Sequence, residues 1–346
     1  MAEPILSVRD LVVHFSLRGQ TLTAIRGASL DLYQGESLAI VGESGSGKSV
    51  LTKSFMGMLD GNGHIDGGTI RFDGENIAAY TTEKEWLKIR GKRIAMVFQD
   101  PMTALSPLMP VGKQIAETLT LHQGLRGRAA KQRAIEILRD VGIVNPEKRY
   151  KQYPHEFSGG MRQRVVIAIA IACNPEILIC DEPTTALDVT IQAQILHLLR
   201  DLQKQYGLTL IYITHDLGVV ANVADRIAVM YAGDIVEIGT SDEIFFDARH
   251  PYTWALLSSL PQLGEHGKDL FAIAGTPPNL FRPVRGDAFA PRNPYALKID
   301  FEYRPPYFEI TPTHKARTWL LDPRAPHIER PTCLDKIAEM GGYIHE

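Results

Sequence analysis

The stretch GESGSGKS at residues 42–49 constrains the fold of this chain more than any other. An apolar run, ESLAIVG, leads into it, and a helical pattern, KSVLTKSFMGML, leads out. Strand, glycine loop and helix in that order make a phosphate cradle. Gly42, Gly45 and Gly47 let successive backbone N–H groups wrap the α- and β-phosphates of a nucleotide, with Glu43, Ser44 and Ser46 spaced between them. Lys48 is placed to reach the β/γ oxygens, and Ser49 Oγ to coordinate Mg²⁺.

A second anion-seeking helix start stands at EFSGGMRQRVVIAIAIA, residues 156–172. A Ser-Gly-Gly turn runs into a basic and then apolar helical pattern. It offers uncovered N–H groups, no Cβ to block approach, and the positive end of a helix dipole. It has no lysine to grip a nucleotide. Around these two starts, the first 80 residues read as strands and turns, and residues from about 100 to 165 as a helical insert. From Pro175 the α/β alternation resumes. In the insert, Ala130, Ala134, Ile137 and Val141 form one stripe. In VTIQAQILHLLRDLQKQYG, Ile191, Ile195, Leu198, Leu199 and Leu202 share a face, and Gly207 stands where a helix ends. After about residue 262, prolines space out a tail of turns and short extended pieces.

Composition narrows the function classes. Acidic residues number 40 against 37 basic, so no general attraction to nucleic acid is expected. Cys173, Cys180 and Cys333 form no ligand-like cluster, which suits a reducing compartment. The start MAEPILSVRD has neither the basic nor the apolar region of a secretory signal. The apolar run at 165–173 is about half of the roughly 20 residues a bilayer-spanning helix needs. No NKxD-type base-reading motif is present, which disfavours a GTPase.

The apolar strand in ILICDEP delivers Asp181 at its carboxyl end, as a Walker-B metal site requires. Asp181 is expected to help hold Mg²⁺, and Glu182 to orient and deprotonate the attacking water. Gln99, in MVFQDP, is placed to contact Mg²⁺ or that water. His215, in LIYITHDLG, could hydrogen-bond the γ-phosphate, and Phe15 could stack on adenine. Taken singly, these three have bland readings as a solvated strand end, a structural histidine and a core aromatic. Met102, Leu105, Leu108 and Met109, just after Gln99, are expected to form an apolar docking patch.

The order of these motifs (P-loop, Gln99, FSGGMRQR, ILICDEP, TALD at 185–188, His215) resembles the ATP-binding subunit of an ABC transporter over residues 5 to about 260. The resemblance implies an α/β fold: a RecA-like P-loop NTPase core with an N-terminal antiparallel β subdomain, a helical subdomain and a small irregular C-terminal extension. It sets the ATP-binding domain at 1–261 and the extension at 262–346. It also gives the second helix start a use. In this family two ATPase subunits meet head to tail, so Ser158, Gly159 and Gly160, with Asp188, would complete the nucleotide site on a neighbour's P-loop. ATP and Mg²⁺ are the implied cofactors.

GESGSGKSV, FQDPMTALSP, ARHPYTWALLSSLP, GTPPNL and HKARTWL resemble the oligopeptide/dipeptide permease branch, in particular its D-type ATPase subunit. The implied partners are two transmembrane permease subunits, a second ATPase of the related F type and an extracellular peptide-binding protein, with this chain peripheral at the cytoplasmic face of the cell membrane. Nickel import within the same branch, a soluble phosphonate-degrading complex and a soluble nucleic-acid-linked ATPase are the competing readings. Many members hold an iron–sulfur cluster on four extension cysteines. Here the aligned positions are Asp287, Asn293, Asp300 and Thr318, so a cluster is expected to be absent, with Phe289, Tyr295 and Trp319 ordering the tail by packing.

Overall fold

The computed structural model describes residues 3–185, 187–260 and 272–337. In chain order the strands are β1 (Leu6–Leu17), β2 (Gln20–Leu32), β3 (Ser37–Val41), β4 (Gly63–Phe72), β5 (Glu75–Asn76) and β6 (Ile94–Val97). They continue with β7 (Ile177–Asp181), β8 (Thr209–Thr214), β9 (Arg226–Tyr231), β10 (Asp234–Thr240), β11 (Phe308–Glu309) and β12 (Lys315–Ala316). The chain divides into two compact units. Among the described residues, one takes in those up to 32, 37–79 and those from 214 onward; the other comprises 33–36 and those within 80–213.

In the first unit β1 pairs antiparallel with β2 and β4, and β5 extends β4, giving the order β2-β1-β4-β5. Leu6, Val8, Leu11 and Val13 of β1 are fully buried, one face of a strand whose alternation is shifted by irregularities after Val8 and Leu11. Elsewhere in this unit β3 runs parallel to β9, β10 pairs antiparallel with β9, and the two-residue strands β12 and β11 continue from β10. All five residues of β3 are buried, as befits a strand covered on both faces, and β3 feeds the chain into Gly42. The tail is built of turns, among them the 3₁₀ segments Ala290–Arg292, Lys298–Phe301 and Trp319–Leu321. Phe289 is buried against Tyr231 and Tyr252, Tyr295 meets Trp254 edge-on, and Trp319 meets Phe308.

The second unit holds β6, β7 and β8 in parallel register, each wholly buried. Its helical part comprises Pro101–Ala104, Val111–Gln123, Gly127–Asp140, Pro146–Arg149 and the start of Gly159–Ile171. The stripe Ala130, Ala134, Ile137 and Val141 is buried, as its spacing predicts. Helix Val189–Tyr206 buries Ile195, Leu198, Leu199 and Leu202 and stops at Gly207, whose φ of 66° only glycine adopts cheaply. Two expectations are corrected. The helix after the P-loop covers Lys48–Ser54 and does not run through KSVLTKSFMGML, because the chain turns at Gly57 with φ 58°. Leu105 is 3% exposed and belongs to the core, whereas Met102 and Leu108 of the same expected patch are 60% and 85% exposed.

Candidate functional site

The first unit carries the glycine loop at residues 42–49, expected to hold a nucleotide's phosphates. The loop turns through positive φ at Gly42, Gly45 and Gly47. A Cβ at Gly42 would lie 2.1 Å from the Met230 carbonyl oxygen, and one at Gly47 3.0 Å from that of Ala24, so side chains are excluded by backbone. Helix Lys48–Ser54 starts at Gly47 without a side-chain cap. Its leading N–H groups and positive dipole end thus keep the character of an anion site. Ser46 Oγ is buried without a hydrogen-bond partner, a further polar atom suited to a phosphate cradle. Ser44 and Gly45 are exposed, and Ser49 is half-buried.

Lys48, 6% exposed, donates from Nζ to the carbonyls of Gly42 (2.7 Å) and Glu43 (3.0 Å). The ammonium is thereby held within the loop it serves. Glu43 donates its N–H to Tyr252 Oη at 2.8 Å, and its carboxylate accepts both arms of the Arg292 guanidinium at 2.7 and 2.9 Å. Phe15 is buried on β1, with its ring over Gly63, where a Cβ would come within 2.5 Å of it. His215 follows β8 and is exposed.

The second unit carries Asp181, Glu182 and Gln99, the residues expected to act in hydrolysis. Asp181 ends the buried strand β7 at 8% exposure. Glu182 follows with φ 45°, a left-handed conformation uncommon for a side-chain-bearing residue and fixed here by its N–H donating to Ile213 O at 2.9 Å. Its Oε2 accepts Gln99 Nε2 at 2.7 Å and Thr185 Oγ1 at 2.9 Å. Gln99 and Glu182, 83 residues apart, are thus direct partners.

Ser158 caps helix Gly159–Ile171, its Oγ accepting the Met161 N–H at 3.4 Å. Asp188 caps helix Val189–Tyr206, accepting the Ile191 N–H at 3.0 Å. These helix starts touch: a Cβ on Gly160 would sit 2.7 Å from Ile191 Cγ2, and one on Gly159 3.6 Å from Leu187. Burial pushes the Cys173 thiol up to about 11 and raises that of Cys180 further, so neither offers a thiolate.

Sequence reasoning did not mark Arg292 or Tyr252 as functional. Their signal lay only in a Glu within the P-loop that needs a counter-charge if it turns inward. In the tail, Asp287, Asn293, Asp300 and Thr318 are all buried. Their oxygens accept the N–H groups of Phe289, Tyr295, Leu297 and Leu320 at 3.0, 2.9, 2.6 and 3.3 Å. Each closes a local turn.

Comparison with known proteins adds the following. A family model described as "ABC transporter" matches residues 25–185, and one described as "Oligopeptide/dipeptide transporter, C-terminal region" matches 236–299. The chain is 56% identical over 345 residues to an oligopeptide transport ATP-binding protein, AmiE, of Streptococcus pneumoniae, covering 99% of this chain and 97% of that one. It is 58% identical over 329 residues to OppD, of the same description, from Bacillus subtilis (94% and 92% covered). It is 56% identical over 327 residues to the dipeptide transport ATP-binding protein DppD of Lactococcus lactis (94% and 93%). Among solved structures it resembles cbiO1 of Clostridium perfringens, part of the ABC transporter complex cbiONQ (TM-score 0.62, 31% identity, 71% of this chain and 92% of that one). It also resembles a dimeric ATP-binding cassette in a post-hydrolysis state bound to ADP and Pi (TM-score 0.61, 27% identity, 68% and 98%).

Proposed function

Because the chain belongs to the ATP-binding subunits of ABC transporters, in their oligopeptide/dipeptide branch, we propose that it binds and hydrolyses ATP to drive peptide import through membrane permease subunits. The observation that carries the reading is the phosphate cradle at residues 42–49, with its glycine-lined backbone, uncapped helix start and buried lysine.

The roles follow from the chemistry of each group. Lys48 leaves the carbonyls of Gly42 and Glu43 for the β/γ oxygens, a more strongly charged acceptor. Ser49 and Asp181, with Gln99, would hold Mg²⁺, which neutralises charge on the β- and γ-phosphates when bound. Glu182 takes a proton from the attacking water while Gln99, already on its carboxylate, orients that water. His215 steadies the γ-phosphate, and Phe15 offers its ring to adenine. Ser158, Gly159 and Gly160, beside the cap at Asp188, present uncovered N–H groups to the nucleotide of an opposing ATPase subunit. That subunit is a related F-type chain, and the pair works at the cytoplasmic face of the membrane on peptides brought by an external binding protein. No helix among the described residues is long and apolar enough to cross a membrane.

The decisive experiment is ATPase measurement on this chain co-expressed with its permease subunits in vesicles. Turnover coupled to peptide uptake is expected, and nucleotide-independent uptake would refute the reading.

We further propose that the extension holds no iron–sulfur cluster, since the oxygens at 287, 293, 300 and 318 are hard donors already used to close turns. Stoichiometric iron and sulfide after anaerobic purification would overturn this.

A further inference from the structure

Glu43 is the second residue of the P-loop, yet its carboxylate faces Arg292, 249 residues away in the C-terminal extension. The contact is a fork on a fork. Nη1 donates to Oε2 at 2.7 Å and Nη2 to Oε1 at 2.9 Å, the strongest ordinary form of carboxylate recognition. The rest of the guanidinium is equally engaged. Nη1 also donates to Tyr231 Oη (3.1 Å), Nη2 to Ile273 O (3.3 Å) and Nε to Ala274 O (2.8 Å). Every N–H an arginine owns thus has an acceptor, and the side chain is 4% exposed.

Two further contacts tie the same place. Tyr252 Oη takes the Glu43 N–H, and Pro277, Pro278 and Leu280 of the extension line a small cleft against Glu43, Ser44 and Gly45. Leu280 O also accepts the Thr23 N–H of β2 at 3.1 Å.

A surface ion pair between two mobile side chains would signify little. This one is built differently. Lysine could not make the two parallel bonds, and the carboxylate belongs to the loop whose backbone must be preset to wrap phosphates. Preorganisation of that loop lowers the cost of binding nucleotide. The loop's glycines, chosen for freedom, supply no rigidity of their own.

We infer that the C-terminal extension is part of the nucleotide site: Arg292 is a positioning residue that holds the P-loop in its phosphate-binding shape through Glu43. This rests on the ATP-binding reading above.

The test uses the full chain, a fluorescent ATP analogue with Mg²⁺, and thermal unfolding in parallel. Arg292→Gln and Glu43→Gln are each expected to weaken binding about tenfold. The double variant should be no weaker than the poorer single, because both remove the same bond. Arg292→Lys should fall between, keeping charge without the fork. In the assembled transporter the KM for ATP should rise with kcat at saturating ATP nearly kept, a split that general destabilisation does not produce. Asp322→Asn, which breaks the exposed Asp322–Arg324 pair of the same extension, should change nothing.

If Arg292→Gln does not fold, Glu43→Gln, made on the loop side, decides alone. Affinity within twofold of wild type in a folded Glu43→Gln chain, or additive losses in the double variant, would overturn the inference. Failure of the wild-type chain to bind nucleotide would instead overturn the ATP-binding reading.

Discussion

Replacing Glu182 by glutamine separates the chemical step from everything else the residue does. Both hydrogen bonds received by its side chain from Gln99 and Thr185 end on one oxygen, Oε2. An amide oxygen placed there keeps both, and the amide NH₂ takes the position of Oε1, where a proton can no longer be accepted. The two retained bonds lose their charge assistance, a change of about 0.5–1 kcal/mol each in a buried setting and less on this half-exposed side chain. The left-handed backbone, set by the bond to Ile213 O, is untouched. Folding stability should therefore fall by less than about 1 kcal/mol. Loss of a general base costs about 10²–10⁴ in rate, or roughly 3–5 kcal/mol of barrier. Steady-state phosphate release from the assembled transporter, set beside equilibrium ATP binding by the isolated chain, reads both quantities. The expected result is turnover at or below about one per cent with affinity nearly intact, and a nucleotide-bound dimer that persists. Turnover within about threefold of wild type would refute the assignment. An affinity loss as large as the rate loss would place Glu182 in binding.

At the Ser-Gly-Gly turn, Gly160→Asp should abolish turnover in a mixed dimer at the site built on the partner's P-loop, while ATP binding to the isolated variant stays normal; a loss of binding in the monomer would show that the turn works in cis. Gly159→Ala, which meets only ordinary contact with Leu187, should be far milder than Gly160→Ala, whose new methyl would press on Ile191 at a cost of about 1–3 kcal/mol by urea unfolding. Leu108→Asp should leave the chain folded and weaken its hold on membranes, whereas Leu105→Asp should cost more than about 4 kcal/mol, because it drives a charge into the core. His250 is fully buried, accepts the Tyr252 N–H on Nδ1, and is held down to about 4 by desolvation. A depressed histidine binds fewer protons folded than unfolded, so stability is present above pH about 6.5 and falls as pH drops toward 4, by about 3 kcal/mol at most. His250→Asn, which can still cap helix Pro251–Ser258, should flatten that slope in urea midpoints taken from pH 7 to 4.5.

What could be read from the residues alone was what repeats or clusters locally. The glycine spacing at 42–47, the wholly apolar β7 before Asp181 and the 130/134/137/141 stripe each announce their geometry within a few positions. Leu105 misled because it follows the exposed Met102, Thr103 and Ala104 in a stretch that holds Pro107 and Pro110, with no period to show that its side chain turns inward. Ile191 is half-buried and stands against Gly160 of another helix, a pairing that the period of its own helix does not show. The Glu43–Arg292 fork was illegible for a plainer reason: a contact across 249 residues leaves no local trace at either end. The turns closed by Asp287, Asn293, Asp300 and Thr318 are local, each spanning two or three residues, and these are residue types that close such turns; what the residues alone do not show is that all four side chains are buried.

Lys48 and the loop glycines lie in one compact unit, and Asp181, Glu182 and Gln99 in the other. The two sets of residues can therefore be damaged independently, and the damage inherits differently. On the roles proposed above, a chain crippled in the first set is expected not to load nucleotide, and an intact sister to take its place. One crippled in the second is expected to load, take its seat in the assembly and stay there, so that in a cell carrying both alleles the defective copy should be genetically dominant. A screen for dominant transport-deficient alleles would thus collect lesions around Glu182 and pass over those at Lys48.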